Sequence, residues 1–209
     1  MIKWSLIVKN KSMKLYNIQQ QTPEWFALRK GKMTASHAQE IGNNGKGLET
    51  YIYKVMSDYF SEVPQEQYTN PDLERGVELE EQARNIYELE KGVSIEKVGF
   101  IEMDEFVGCS PDGLIGEDGG IEIKCHNNEK HFKLLLYKKI ESGYLWQIQM
   151  NLLITGRKWW DYVAYNPNYK NSLIVIRITP DEEMFKSLKE GFIKGQSLIE
   201  EIKQKYEKI

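Results

Sequence analysis

The chain has 209 residues, 41% of them hydrophobic and 28% charged, with a formal net charge of −3. That length suits a single globular domain, and the apolar content supports a sizeable core and excludes an intrinsically disordered chain. The nearly balanced charge neither requires nor excludes a nucleic-acid partner, because acidic site residues can mask a basic groove in the sum.

In chain order, residues 1–13 mix apolar and basic side chains without a clear period, as in a short strand or a loose arm. The stretch from Gln21 to Arg29 has the marks of a helix start: Thr22 as N-cap, Pro23 in the first position and Glu24 in the first turn. It should stop by Gly31. Met33-Thr34-Ala35-Ser36 then reads as the opening of a second helix, capped by Thr34 or Ser36. Arg29, Lys30 and Lys32 crowd the junction, an arrangement that suits either a phosphate or a solvated basic turn. Residues 48–60 are expected to form an amphipathic helix and 65–71 a polar loop. Over 72–91 a further helix is predicted, with Leu79, Ala83 and Ile86 on one stripe and Gly92 as its C-cap. Glu78 and Glu80 lie on opposite shoulders of that stripe, while Glu81 points outward, so either shoulder carboxylate can lean into a site.

The densest chemistry runs from Gly108 to Cys125, which reads G-C-S-P-D-G-L-I-G-E-D-G-G-I-E-I-K-C. Ser110-Pro111-Asp112-Gly113 is a turn tetrapeptide. Ile121, Ile123 and Cys125 alternate with Glu122 and Lys124, the pattern of a half-buried strand, so Glu122 and Lys124 share a face. The glycines between 116 and 120 let the chain double back and bring Asp112 beside Glu122. Two carboxylates and a lysine converging at a strand end suit a hard divalent cation and phosphodiester hydrolysis, with Lys124 orienting water or offsetting developing charge.

Strands are expected over 98–103 and 106–109, leading into this motif. Cys109 and Cys125 would then sit on neighbouring strands as reduced thiols, too few for a Cys₄ metal site. His126, Lys130, His131, Lys133, Lys138 and Lys139 follow as a basic segment with no metal spacing, and His37 adds none. Residues 143–154 read as a helix with Leu145, Ile148 and Leu152 inward. Gln147 and Gln149 either find buried partners there or remain solvated beside the stripe. Strands over 159–166 and 172–179 and an amphipathic helix over 180–209 close the chain. The order predicts an α/β sandwich around a central mixed sheet. With no apolar run of about 18 residues and no leader pattern, the chain is expected to be soluble and cytoplasmic.

Five segments in order resemble the PD-(D/E)XK nucleases, and more closely the phage lambda-type exonucleases, or YqaJ-like viral recombinases. They are Trp25-Phe26-Ala27-Leu28-Arg29 with Thr34-Ala35-Ser36; Gly76-Val77-Glu78-Leu79-Glu80 with Ala83-Arg84; Cys109 to Leu114; Ile121 to Cys125; and Gln147-Ile148-Gln149. The resemblance implies one nuclease domain, with N-terminal helices over 22–60, a catalytic core over 72–179 and a C-terminal helix over 181–208. It implies metal ligation by Asp112, Glu122, the Ile123 backbone carbonyl and Glu80, with two Mg²⁺ ions per site or Mn²⁺ in their place. Lys124 would handle the attacking water, and Gln147 would stand near the metal. Arg29, Ser36 and Ser110 would bind a terminal 5′-phosphate.

The activity implied is 5′→3′ degradation of one strand of linear duplex DNA to mononucleotides, leaving a 3′ overhang. A toroidal homotrimer, a single-strand annealing partner and a phage or prophage gene expressed in a bacterial host are implied too. An endonuclease that cuts closed circles, or an idle DNA-end binder that recruits the annealing protein, would be the alternatives.

Overall fold

A computed structural model of the chain describes residues 13–63 and 71–209. Residues 1–12 of the arm read over 1–13, and residues 65–70 of the polar loop read over 65–71, lie outside the described residues. The elements run β1 (Lys14–Tyr16), α1 (Pro23–Arg29), β2 (Met33–Thr34), a 3₁₀ turn (Ala35–His37), α2 (Ala38–Asn43), α3 (Lys46–Phe60) and α4 (Pro71–Lys91). They continue with β3 (Ile95–Glu96), β4 (Phe100–Glu102), β5 (Val107–Cys109), β6 (Gly113–Ile115), β7 (Gly119–Cys125), α5 (Asn128–Tyr137) and α6 (Ser142–Thr155). Strands β8 (Trp159–Tyr165) and β9 (Leu173–Ile178) and helix α7 (Glu182–Tyr206) complete the fold.

The mixed α/β class read from the sequence holds, but the strands divide into two sheets. One has the order β1-β4-β5-β2 and the other β3-β6-β7-β8-β9. In the second, β7 is central, antiparallel to β6 and parallel to β8. Ala83 and Tyr87 of α4 pack on one face of that sheet against Ile115, Ile121 and Ile123. On the other face Trp160, Tyr162 and Ala164 join Ile148 and Leu152 of α6 and Leu188 and Phe192 of α7. Strand β7 is therefore covered on both faces rather than half-buried, as expected of a strand with a parallel neighbour between helices.

The glycines before β7 act differently from the sequence reading. Only Gly116 makes the turn through a positive φ, of 53°. Gly119 and Gly120 are already in the strand, opposite Trp159 and Trp160 in register. A Cβ on either would run into the facing indole ring, so their role is space rather than flexibility. Arg157 fastens the turn by donating to the carbonyls of Gly116 and Gly119, each at 2.7 Å.

Helix α1 starts as expected, with Thr22 Oγ1 accepting the Trp25 N–H at 3.3 Å. The predicted helix at 33–36 is instead a parallel strand pair, Met33 with Val107 and Thr34 with Gly108, followed by the 3₁₀ turn. Hydrogen bonding to β5 takes these residues first. The basic segment after β7 proves to hold a helix, α5, whose N-cap Asn127 accepts the Lys130 N–H at 2.9 Å. Lysines hid its short inward stripe of His131 and Leu134. Cys109 and Cys125 lie in different sheets, not on neighbouring strands, and they form no disulfide with each other. Among the described residues no helix is long and apolar enough to cross a membrane.

Candidate active site

The β6–β7 hairpin pairs Gly113 with Ile121 and thereby sets Asp112 against the middle of β7. Asp112 Oδ2 accepts the Ile123 N–H at 2.6 Å. Glu122 and Lys124, two residues apart on the strand, meet on its α6 face, with Lys124 Nζ 2.6 Å from Glu122 Oε1. Gln147, projecting from α6, donates to the same oxygen at 2.7 Å. One turn on, Asn151 donates to Glu122 Oε2 at 3.3 Å. Glu122 is only 1% exposed, so these donors stand in for the water it has lost.

Helix α4 contributes from the other side. Glu80 is half-buried, whereas Glu78 is exposed, which separates the two shoulder glutamates. Arg84 ties Glu80 to the motif, donating to Glu80 Oε1 at 2.7 Å and to the Asp112 carbonyl at 3.0 Å. Glu81 takes the other guanidinium nitrogen at 2.7 Å and also meets Lys97 at the surface. Gln149 is not part of the site. It donates to the Thr179 carbonyl and accepts the Asp181 N–H, joining α6 to the start of α7.

The electrostatics of the cluster are strained toward cation binding. Burial raises the pKa of Asp112, opposed by Lys124 and the Ile123 N–H. Burial and the Asp112 charge also raise Glu80, with Arg84 opposing. Glu122 is pushed up to about 8 by burial and then by Asp112, despite its contact with Lys124. Burial disfavours the Lys124 ammonium, but Glu122 and Asp112 outweigh this and raise its pKa, so it is charged at neutral pH. Three carboxyl groups thus repel one another with too little positive charge between them, the condition a hard divalent cation relieves. Each is turned to a protein donor, and no group of three or more His, Cys, Asp or Glu residues among the described residues is arranged to hold a metal ion. The donor set nonetheless fits Mg²⁺ chemically: oxygen ligands, few in number, gathered at one place on β7.

A second cluster adjoins the first through the turn Ser110-Pro111-Asp112. Arg29 Nη1 donates to Ser110 Oγ at 2.9 Å, and Nη2 lies 3.4 Å from Thr34 Oγ1. Thr34 Oγ1 is in turn 3.2 Å from Ser36 Oγ. Trp25 frames the guanidinium, whose carbon lies 4.1 Å from the ring centroid, and its indole N–H also donates to Ser110 Oγ. No carboxylate among the described residues pairs with Arg29, and burial depresses its pKa. Lys30 and Lys32 do not join it: they reach the Ser61 and Glu105 carbonyls instead. Sequence reasoning missed Asn151 altogether, and it placed Arg84, Thr34 and Trp25 in the matched segments without giving them a role in the site. The i,i+4 spacing of Gln147 and Asn151 on one helix was the available signal for the first.

The YqaJ-like viral recombinase domain model matches residues 24–158, which include every candidate site residue. An alkaline exonuclease from Laribacter hongkongensis, LHK-Exo, is similar at 32% identity, covering 90% of this chain and 99% of that one, with a TM-score of 0.77. The same exonuclease in complex with dAMP gives 31% identity over the same shares and a TM-score of 0.79. A phage-related exonuclease from Haemophilus somnus 129PT shares the fold, at 16% identity and TM-score 0.63, covering 84% of this chain and 96% of that one. No curated protein matches the sequence. The chain belongs to the YqaJ-like viral recombinase family, and it is a nuclease with the architecture of the alkaline exonucleases.

Proposed function

We propose that this nuclease acts as one domain that degrades linear duplex DNA from a 5′ end, releasing mononucleotides and leaving a 3′ single strand. One observation carries the reading: a half-buried arginine, Arg29, with no carboxylate partner among the described residues donates to Ser110, two residues along the chain from Asp112, beside a carboxylate cluster short of positive charge. Arg29, Ser110 and Ser36 would hold a terminal phosphate, placing the next phosphodiester against Asp112 and Glu122. An oxygen-rich terminal phosphate suits a guanidinium better than any internal phosphate does, because it offers more charge to a bidentate donor.

Asp112, Glu122, the Ile123 carbonyl and Glu80 would hold Mg²⁺, in two ions, with Mn²⁺ as a substitute. When bound, the metal supplies Lewis acidity and an activated water. Lys124 would orient that water and offset charge on the phosphoryl oxygens, and Gln147 would keep Glu122 aimed. The dAMP complex of the similar exonuclease supports a mononucleotide product. The family description, a viral recombinase domain, supports a phage or prophage source, action in the bacterial cytoplasm, and a single-strand annealing partner. A ring-shaped homotrimer would give processivity by enclosing the DNA.

The test uses a linear duplex labelled at its 5′ or 3′ end and a covalently closed circle, with Mg²⁺ or with EDTA, and Glu122→Ala as control. Metal-dependent release of 5′ label first, with the circle intact, is the expected result. Cutting of the circle would replace it with an endonuclease, and end binding without cleavage would leave a scaffold.

A further inference from the structure

Beyond Lys124, β7 runs out beside a cavity of about 250 Å³ lined by His126, Lys130, Lys133, Tyr137, Lys139 and Tyr162, with Leu134 and Glu141. It sits next to the catalytic strand: Tyr162 is the register partner of Glu122, and its hydroxyl is 2.6 Å from His126 Nε2. Tyr144 connects the two places, with its ring 5.2 Å from Lys124 Nζ and 5.8 Å from the His126 ring.

The lining has a definite chemistry. The segment 126–141 carries four lysines against two glutamates in a chain that is negative overall. Glu141 is held by Lys130 at 3.0 Å and Glu129 by Lys133 at 2.6 Å, while no carboxylate among the described residues pairs with Lys139. Tyr137 is 72% exposed at the rim, an aromatic surface with nothing folded over it. An ammonium group without a carboxylate partner beside an open aromatic ring supplies the two halves of a sequence-tolerant nucleotide contact, phosphate and base. The volume falls just below the roughly 300–1,000 Å³ of pockets for drug-sized ligands, which admits one nucleotide and not a duplex. A base can reach the ring only if it is unpaired.

We infer that this cavity is a subsite for a single unpaired deoxynucleotide beside the catalytic centre, with the base on Tyr137 and the phosphate on Lys139. The inference rests on the nuclease reading above, in which the Arg29 pocket meets the centre through Ser110–Asp112 and this cavity meets it through Lys124–His126. The same chemistry has two sources: a nucleotide of the unwound strand, or the mononucleotide just released.

The experiment measures anisotropy of a labelled single-stranded oligothymidylate with the full-length protein in EDTA, across a salt series. Both variants change exposed residues outside the catalytic cluster, and circular dichroism checks that they fold. Tyr137→Ala should weaken binding about tenfold, within the range expected for loss of one stacked base. Lys139→Ala should flatten the slope of log affinity against log salt by about 0.7, the value for one phosphate contact on a single strand. Unchanged affinity and slope in both variants would overturn the subsite, and a changed sedimentation coefficient alongside would make the face a protein interface. Competition by dAMP separates the sources: displacement that depends on Tyr137 assigns the released product, and displacement that does not assigns the strand. Loss of 5′ label from linear duplex by the wild-type protein is a separate readout, so failure of the exonuclease reading and failure of the subsite are told apart.

Discussion

Asn151 donates from Nδ2 to Glu122 Oε2 at 3.3 Å, deep between α6 and β7, while its own Oδ1 has no partner among the described residues. The amide is spent entirely on holding one carboxylate. Asn151→Leu, close in volume, removes that donor and leaves a buried carboxylate oxygen unsatisfied, a cost of about 1–3 kcal/mol. The variant should therefore unfold at lower urea and bind Mg²⁺ more weakly, so the loss of stability should be larger when Mg²⁺ is present. An unchanged metal titration would reduce Asn151 to packing.

The raised pKa of Glu122 gives the metal-free protein an unusual pH response. In an unfolded chain this carboxyl loses its proton near 4.5, and in the folded protein only near 8. Between those values the folded state keeps a proton that the unfolded state has released, so stability falls as pH rises through the window. A cation competes with that proton and binds best once it has gone, and it stabilises the fold by mass action. In EDTA the melting temperature should be lower at pH 8 than at pH 6, and Mg²⁺ should raise it more at pH 8. Glu122→Gln should flatten both effects. A larger Mg²⁺ shift at pH 6 would contradict the assignment.

Arg29 makes contacts that a point charge cannot copy, with two nitrogens reaching Ser110 and Thr34 and a flat face on Trp25. Arg29→Lys keeps the charge and loses the fork. At about 1.5–3 kcal/mol for a hydrogen bond to a charged group, initiation on 5′-phosphorylated ends should slow roughly tenfold to a hundredfold. Ends carrying a 5′-hydroxyl should be affected little. Equal slowing on both ends would mean that the pocket holds something other than the terminal phosphate.

Much of this site was legible because its parts are local. Asp112, Glu122 and Lys124 lie within one hairpin, where turn residues and strand alternation fix relative position without tertiary knowledge. Glu80 and Glu78 could not be separated in the same way, since the choice depends on where α4 docks, and Arg84 with the Asp112 carbonyl decides it. The opening of residues 33–36 as a strand was illegible for a related reason: local capping residues were present, but Val107 and Gly108 compete for the same backbone groups. Helix α5 was hidden by composition, because the charged side chains of Glu129, Lys130 and Lys133 flank an inward stripe of only two buried residues, His131 and Leu134. The glycines at 119 and 120 look like a flexible link in sequence, and only the register with Trp159 and Trp160 explains them.

Gly191 tests how tightly the helical layer is set. It lies on the buried side of α7, and a Cβ there would meet the backbone carbonyl of Ile41 in α2, an atom that cannot turn aside. In an exposed helix, Gly→Ala gains about 0.5–1 kcal/mol. Here the overpacking cost, typically about 1–3 kcal/mol, should dominate and lower the urea midpoint. Gly143, in the first turn of α6, is the control: its nearest neighbour is the movable Gln39 side chain, and Gly143→Ala should be neutral or slightly stabilising. If both substitutions stabilise alike, α7 can slide away from α2 at little cost and the close approach is not specified by packing.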